Sequence, residues 1–226
     1  MSITVVVPPT TTLLTTLDRL KAELGITVTA DDPVLSDMIE RASSAIAREC
    51  RRTFGRETVA ETLDGTGTRL LGLSVTPIVS ITSVTEDSVT LASTEYSIED
   101  AESGALYRLN GWGRSSGLRM WGTEAFASGY IMPGYQDRRY TVTYVGGYLL
   151  PPGATPNLPG AIEQACLETV KTWFAQRDGV VSDATSVKIG SLSVQYSGAP
   201  SDAASQFGLP AVALGLLRNS YARALG

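Results

Sequence analysis

The sequence predicts an α+β protein: a small helical bundle with a large β-rich insertion between its two main helices, followed by a C-terminal arm and helix. Three observations carry that expectation. Apolar residues recur at helical spacing near the N-terminus and again after Pro159, and between those stretches the period changes to two. A glycine- and serine-rich stretch then leads into a last apolar-basic segment. At 226 residues, with 43% hydrophobic and 18% charged content, the chain is long enough to bury a sizeable core.

The elements follow in order. In LLTTLDRLKAEL, Leu13, Leu17, Leu20 and Leu24 lie on one helical face that ends at Gly25. The next helix has Asp32 as its expected N-cap and Pro33 at its first position. Its apolar stripe runs through Val34, Leu35, Met38, Ile39, Ala42, Ala45, Ile46 and Cys50. Arg48, Arg51 and Arg52 sit at its C-terminal end, where the helix dipole favours cations, and Arg56 follows; the cluster is expected to complement the dipole and face solvent, the alternative being a salt bridge to an acidic face of a neighbour.

From Glu57 the alternation reads as strands. ETVAETLDGTGTRLL is expected to form two strands about a turn at Asp64-Gly65, and IVSITSV, SVTL, EYSI, GALYRL and RRYTVTYVGGY supply the others. Residues 111 to 137 form an irregular segment dense in glycine and aromatics. There Trp112, Arg114, Trp121, Phe126 and Tyr130 are candidates for a partner-binding loop, since aromatic rings and guanidinium groups stack and pack at interfaces, or equally for residues that cover the sheet. After GGYLLPPGATPNLP a helix resumes, with Pro159 in its first turn and Ile162, Ala165, Cys166, Thr169, Val170, Trp173 and Phe174 along its face.

The arm SVKIGSLSVQY changes parity at Gly190-Ser191, which would place Val187 and Ile189 on one face of a flat strand and Leu192, Val194 and Tyr196 on the other. A hairpin or bulge at Gly190 restores one apolar side, and the arm is expected to complete its hydrogen bonding on a neighbour. The resulting segments are 1–56 and 149–185 for the bundle, 57–148 for the insertion, and 186–226 for the arm and terminal helix.

Composition narrows the function. The chain has no histidine, which removes the commonest general base and the commonest metal ligand together. Gly113-Arg114-Ser115-Ser116-Gly117 fits G-x-S-x-G, but without a strand before it, a helix after it or a histidine for Ser115, a serine hydrolase has little support. The glycines at 65, 67, 111 and 113 complete no dinucleotide fingerprint, and Glu99, Asp100 and Glu102 lack the spacing of a calcium loop. Neither a cofactor nor a metal is expected.

Net charge is -5, with 23 acidic and 18 basic residues, so there is no electrostatic footprint for gripping nucleic acid. Cys50 and Cys166 are expected to be buried thiols in a reducing cytoplasm. The MSITVVVPPTTT start lacks the basic region and cleavage site of a signal peptide, and no segment reads as a membrane span.

The order of elements carries a resemblance. DDPVLSDMIERASSAI, a β insertion ending in YTVTYVGGY, LPGAIEQACLETVKTWF and then VKIGSLSVQYS together resemble the head-tail connector, or adaptor, proteins of tailed bacteriophages and gene transfer agents. The resemblance spans about residues 13 to 197. It implies a structural, non-enzymatic protein of the virion neck, assembled in the host cytoplasm as a ring of about twelve copies. Its implied partners are the portal protein on one side and stopper or tail-terminator proteins on the other, with DNA passing through the lumen without specific binding. Because members of the family reach the portal with their C-terminal region, the implied contact residues are Val187, Ile189, Leu192, Val194, Tyr196, Leu209, Val212, Leu216, Leu217 and Tyr221. The alternative is a phage tail or baseplate β module that binds a receptor or sugar through the aromatic loop.

Overall fold

The computed structural model describes residues 2–113, 140–153, 155–177, 186–189, 192–195 and 207–218. It is α+β, and its contacts divide the chain into two compact units, Met1–Pro9 with Arg56–Gly147, and Thr10–Gly55 with Tyr148–Gly226. Residues 1–9 group with the strands, and the helical unit begins at Thr10.

The first unit is β-rich. Its five-stranded antiparallel sheet has the order β1 (Ser2–Val7), β2 (Glu57–Leu63), β8 (Tyr140–Gly146), β4 (Ile78–Glu86) and β5 (Val89–Thr90). A three-stranded sheet orders β3 (Leu70–Gly72), β7 (Ala105–Arg108) and β6 (Tyr96–Asp100). Strict alternation sets the core: in β2 and β8 every second residue is buried, so Val59, Leu63, Tyr140, Val142 and Tyr144 join Leu71, Leu73, Leu106 and Trp112 in one apolar cluster.

One strand pairing departs from expectation. Asp64-Gly65 does not close a hairpin, because β2 and β3 belong to different sheets. The intervening loop grips Trp112 instead: Gly67 N–H donates to the Trp112 carbonyl and Trp112 N–H donates to the Thr68 carbonyl, both at 2.7 Å. A side chain at Gly65 would collide with the Gly113 backbone, so this close approach admits only glycine.

Two carboxylates are buried on the same face of β2. Glu61 accepts from Ser74 N–H at 2.9 Å, from the Ser74 hydroxyl, and from the Tyr144 hydroxyl at 2.7 Å. Glu57 is also buried, and desolvation pushes its carboxyl above the ordinary value. A folded state that favours the protonated form is stabilised most below the unfolded carboxylate's range and loses that stabilisation as pH rises. Glu57→Gln is therefore expected to raise stability at pH 7 and to keep little of that advantage near about pH 4, as paired urea titrations would show.

The second unit is helical. In α1 (Leu17–Leu24), Thr16 caps the N-terminus by accepting from Arg19 N–H at 3.2 Å, and Gly25 closes the C-terminus in the left-handed region at φ 67°. In α2 (Asp32–Cys50) the N-cap is Asp31 rather than Asp32, and neither acid caps with its side chain. Both bind cations: Lys21 reaches Asp32 at 2.7 Å and Arg177 reaches Asp31 at 3.0 Å. Every residue of the expected α2 stripe is buried except Val34, which packs at its margin.

Helix α3 (Gly160–Arg177) packs against both α2 and α4 (Ala211–Arg218). Helix α1 also touches α3, and with neighbours on several sides Leu167 is buried beside the expected Ile162, Ala165, Cys166, Thr169 and Val170. Small side chains at Ala42, Ser43 and Ala45 of α2 and at Ala165 and Cys166 of α3 join the same core, and Ser43 Oγ lies 3.8 Å from Cys166 Sγ. Thr169 returns its hydroxyl to the Ala165 carbonyl at 2.7 Å, so its polar atom is satisfied inside the helix.

Candidate functional site

Among the described residues, no group of three or more carboxylates or cysteines is placed to hold a metal ion. Desolvation pushes the Cys50 thiol up to about 11 and Cys166 to about 12, which keeps both protonated and poorly nucleophilic at neutral pH. Ser115 of the G-x-S-x-G match lies outside the described residues. No described helix is long and apolar enough to cross a membrane.

The structure distributes the residues expected to contact other proteins unequally. Leu209, just before α4, and Ala213, Leu214 and Leu217 within it belong to the core of the helical unit. Trp173 donates its indole N–H to the Gly208 carbonyl at 3.1 Å and ties down the approach to this helix. Leu209 and Leu217 thus stabilise this chain's own fold, Leu216 is half-buried, and Val212 is exposed at 64%. Tyr221 lies outside the described residues.

The arm is a two-stranded antiparallel ribbon, β9 (Ser186–Ile189) with β10 (Leu192–Gln195). Its register sets Ile189 opposite Leu192 and Val187 opposite Val194, while Lys188 pairs with Ser193 and Ser186 with Gln195. The parity change at Gly190-Ser191 is thereby resolved: reversing the chain brings the apolar positions of both halves into direct pairing. Tyr196 lies outside the described residues.

The aromatic loop fares differently. Trp112 is completely buried, edge-to-face with Tyr140 at 5.1 Å between ring centroids, and its indole N–H lies 3.1 Å from both the Arg69 and Leu106 carbonyls. The Arg108 guanidinium stands over the ring at 5.7 Å while binding Glu86 at 2.8 Å and Glu95 at 3.0 Å. Of the two roles open to Trp112, the structure gives it packing on the sheet and not partner binding: the ring is a core residue. Arg114, Trp121, Phe126 and Tyr130 lie outside the described residues.

Among the basic residues ending α2, Arg48 and Arg51 are exposed, and Arg52 covers the Phe54 ring at 5.2 Å. Arg51 holds the left-handed C-cap position at φ 53°, where its N–H meets the Arg48 carbonyl and Arg52 N–H meets the Ala47 carbonyl, both at 3.1 Å. Gly25 plays the same part in α1 at no steric cost. Arg51→Gly is expected to stabilise the fold by about 0.5–1 kcal/mol in a urea titration. If the guanidinium also contacts a neighbour, assembly weakens in the same variant.

Sequence reasoning missed one surface. Ile3, Val5, Val6 and Val7 expose 39%, 50%, 55% and 54% of their area along β1, at the edge of the five-stranded sheet. The signal was present as a β-branched run stopped by Pro8-Pro9.

Residues 13–120 match the family model of the head completion protein. The fold is similar to that of a chain in the virion of a native gene transfer agent particle, at 14% identity and a TM-score of 0.52. It is also similar to a chain in the neck of the native particle computed with C12 symmetry, at 15% and 0.52, and to one in the neck of the empty particle computed with C6 symmetry, at 14% and 0.53. Each match covers 100% of this chain and 98% of the other. No curated protein is significantly similar. The sequence is thus similar to the head completion protein family over residues 13–120, just under half of the chain, and the fold is similar to that of gene transfer agent chains over its whole length.

Proposed function

We propose that this protein is a head-tail adaptor that forms a ring in the particle neck, binds the portal on one side and a stopper or tail-terminator protein on the other, and lets DNA pass through its lumen. The observation that carries the reading is likeness of fold over the whole chain to chains of gene transfer agent necks, two of them computed with C12 and C6 symmetry. A ring of about twelve copies meets that symmetry. Each copy contributes a net charge of -5, and acidic residues facing the lumen would let a polyanion slide without sticking.

Native mass spectrometry and negative-stain microscopy of the purified chain, with and without portal, test this directly. A ring, or a ring that appears on adding portal, supports the reading. A monomer that never binds portal overturns it. The receptor-binding alternative loses one of its aromatic residues, because Trp112 is inside the protein.

A further inference from the structure

Two β edges of this chain are open among the described residues. The first is the outer edge of β1, which is hydrogen-bonded to β2 on one side only and carries the exposed Ile3, Val5, Val6 and Val7. An edge of this kind is usually blunted by lysine, an inward-pointing charge or a cover. Residues 2–7 contain no charge at all; a register shift between Val5 and Val7 and the prolines after it are the only interruptions. The second open edge belongs to the ribbon of β9 and β10, which pair with each other and with no other strand. A two-stranded ribbon is marginal by itself and gains by joining a larger sheet.

We infer that the β9–β10 ribbon of a second copy adds to the β1 edge and extends the five-stranded sheet across the subunit boundary. The inference rests on the ring reading above and names the contact that builds it. Three features favour this occupant. Strand addition satisfies the unpaired backbone groups of β1 and of the ribbon together. Charge does not oppose it, since Lys188 is the only charged residue in the three strands. Finally, pairing β1 with another β1 closes a two-fold dimer and leaves both ribbons bare, whereas ribbon on edge uses one surface of each kind from every copy and repeats head to tail until it closes.

The geometry makes a mixing experiment decisive. A Val5→Lys, Val7→Lys chain has a blocked edge and an intact ribbon; a Val187→Pro, Val194→Pro chain has the reverse. Circular dichroism and melting curves of each full-length variant verify that it folds. The expected result at hundreds of micromolar is that each variant alone stays monomeric, while the mixture forms a one-to-one heterodimer that grows no further.

Homodimers of the ribbon-blocked chain would show β1 pairing with β1 and overturn the inference. So would a mixture without heterodimer, which places the ribbon on its own chain or elsewhere. The ring reading is judged separately: if wild-type rings form with portal while the mixture fails, the ring stands and this contact is wrong. If wild type also fails to form a ring with portal, both fall.

Discussion

Replacing Trp112 with alanine is expected to destabilise the protein by about 3–5 kcal/mol, enough to remove most of a typical domain's stability. The side chain is fully buried, so its loss removes a large apolar surface and leaves a cavity between two sheets. Its contact with Tyr140 adds about 0.5–1.5 kcal/mol beyond area alone. The Arg69 and Leu106 carbonyls lose a donor at the same time. Trp112→Phe, which fills most of the space without the N–H, is expected to fall between the two. Urea unfolding followed by circular dichroism checks this; a change below about 1 kcal/mol in Trp112→Ala would mean that the ring is not part of the core.

Glu61→Ala is expected to cost a similar amount, about 3–5 kcal/mol at pH 7, for an electrostatic reason. The carboxylate has no exposed surface and accepts from the Ser74 N–H, the Ser74 hydroxyl and the Tyr144 hydroxyl. Truncation leaves those donors facing an apolar cavity. Val75 N–H in turn donates to the Tyr144 oxygen at 2.9 Å, so the damage spreads along the chain. Burial first, and the Glu61 charge second, push the Tyr144 hydroxyl pKa upward, which keeps its proton available for the bond. Glu61→Gln keeps one acceptor but turns an amide N–H2 toward other donors, for an expected loss of about 1–3 kcal/mol. Denaturant titrations of both variants at pH 7 separate the cavity from the lost acceptors. Equal losses would mean that the hydrogen bonds, not the volume, decide.

Much of the fold is legible from periodicity because periodicity is a consequence of burial. The α2 stripe from Leu35 to Cys50 and the alternation in Glu57–Leu63 and Tyr140–Gly146 each follow from an element presenting one face to a core. Glu61 shows the limit of that logic. A charged residue on the buried parity of β2 reads as an exception until Ser74 and Tyr144 are seen converging on it from other parts of the chain. Leu167 is a similar case, since its burial off the expected α3 stripe has meaning only once several helices pack around α3.

The candidate surfaces divide along the same line. The sequence by itself determined the α+β class, the helix faces, the lack of a histidine-based site and the break in the arm at Gly190, because each depends on neighbours along the chain. Only the tertiary structure decided that Trp112, Leu209 and Leu217 are core residues, that β2 and β3 part into different sheets, and that Ile3 to Val7 lie bare along an edge. The physical reason is that exposure is set by what packs from distant positions. An apolar side chain has the same appetite for burial wherever it stands, and whether its own chain or another copy covers it depends on where the neighbouring elements end.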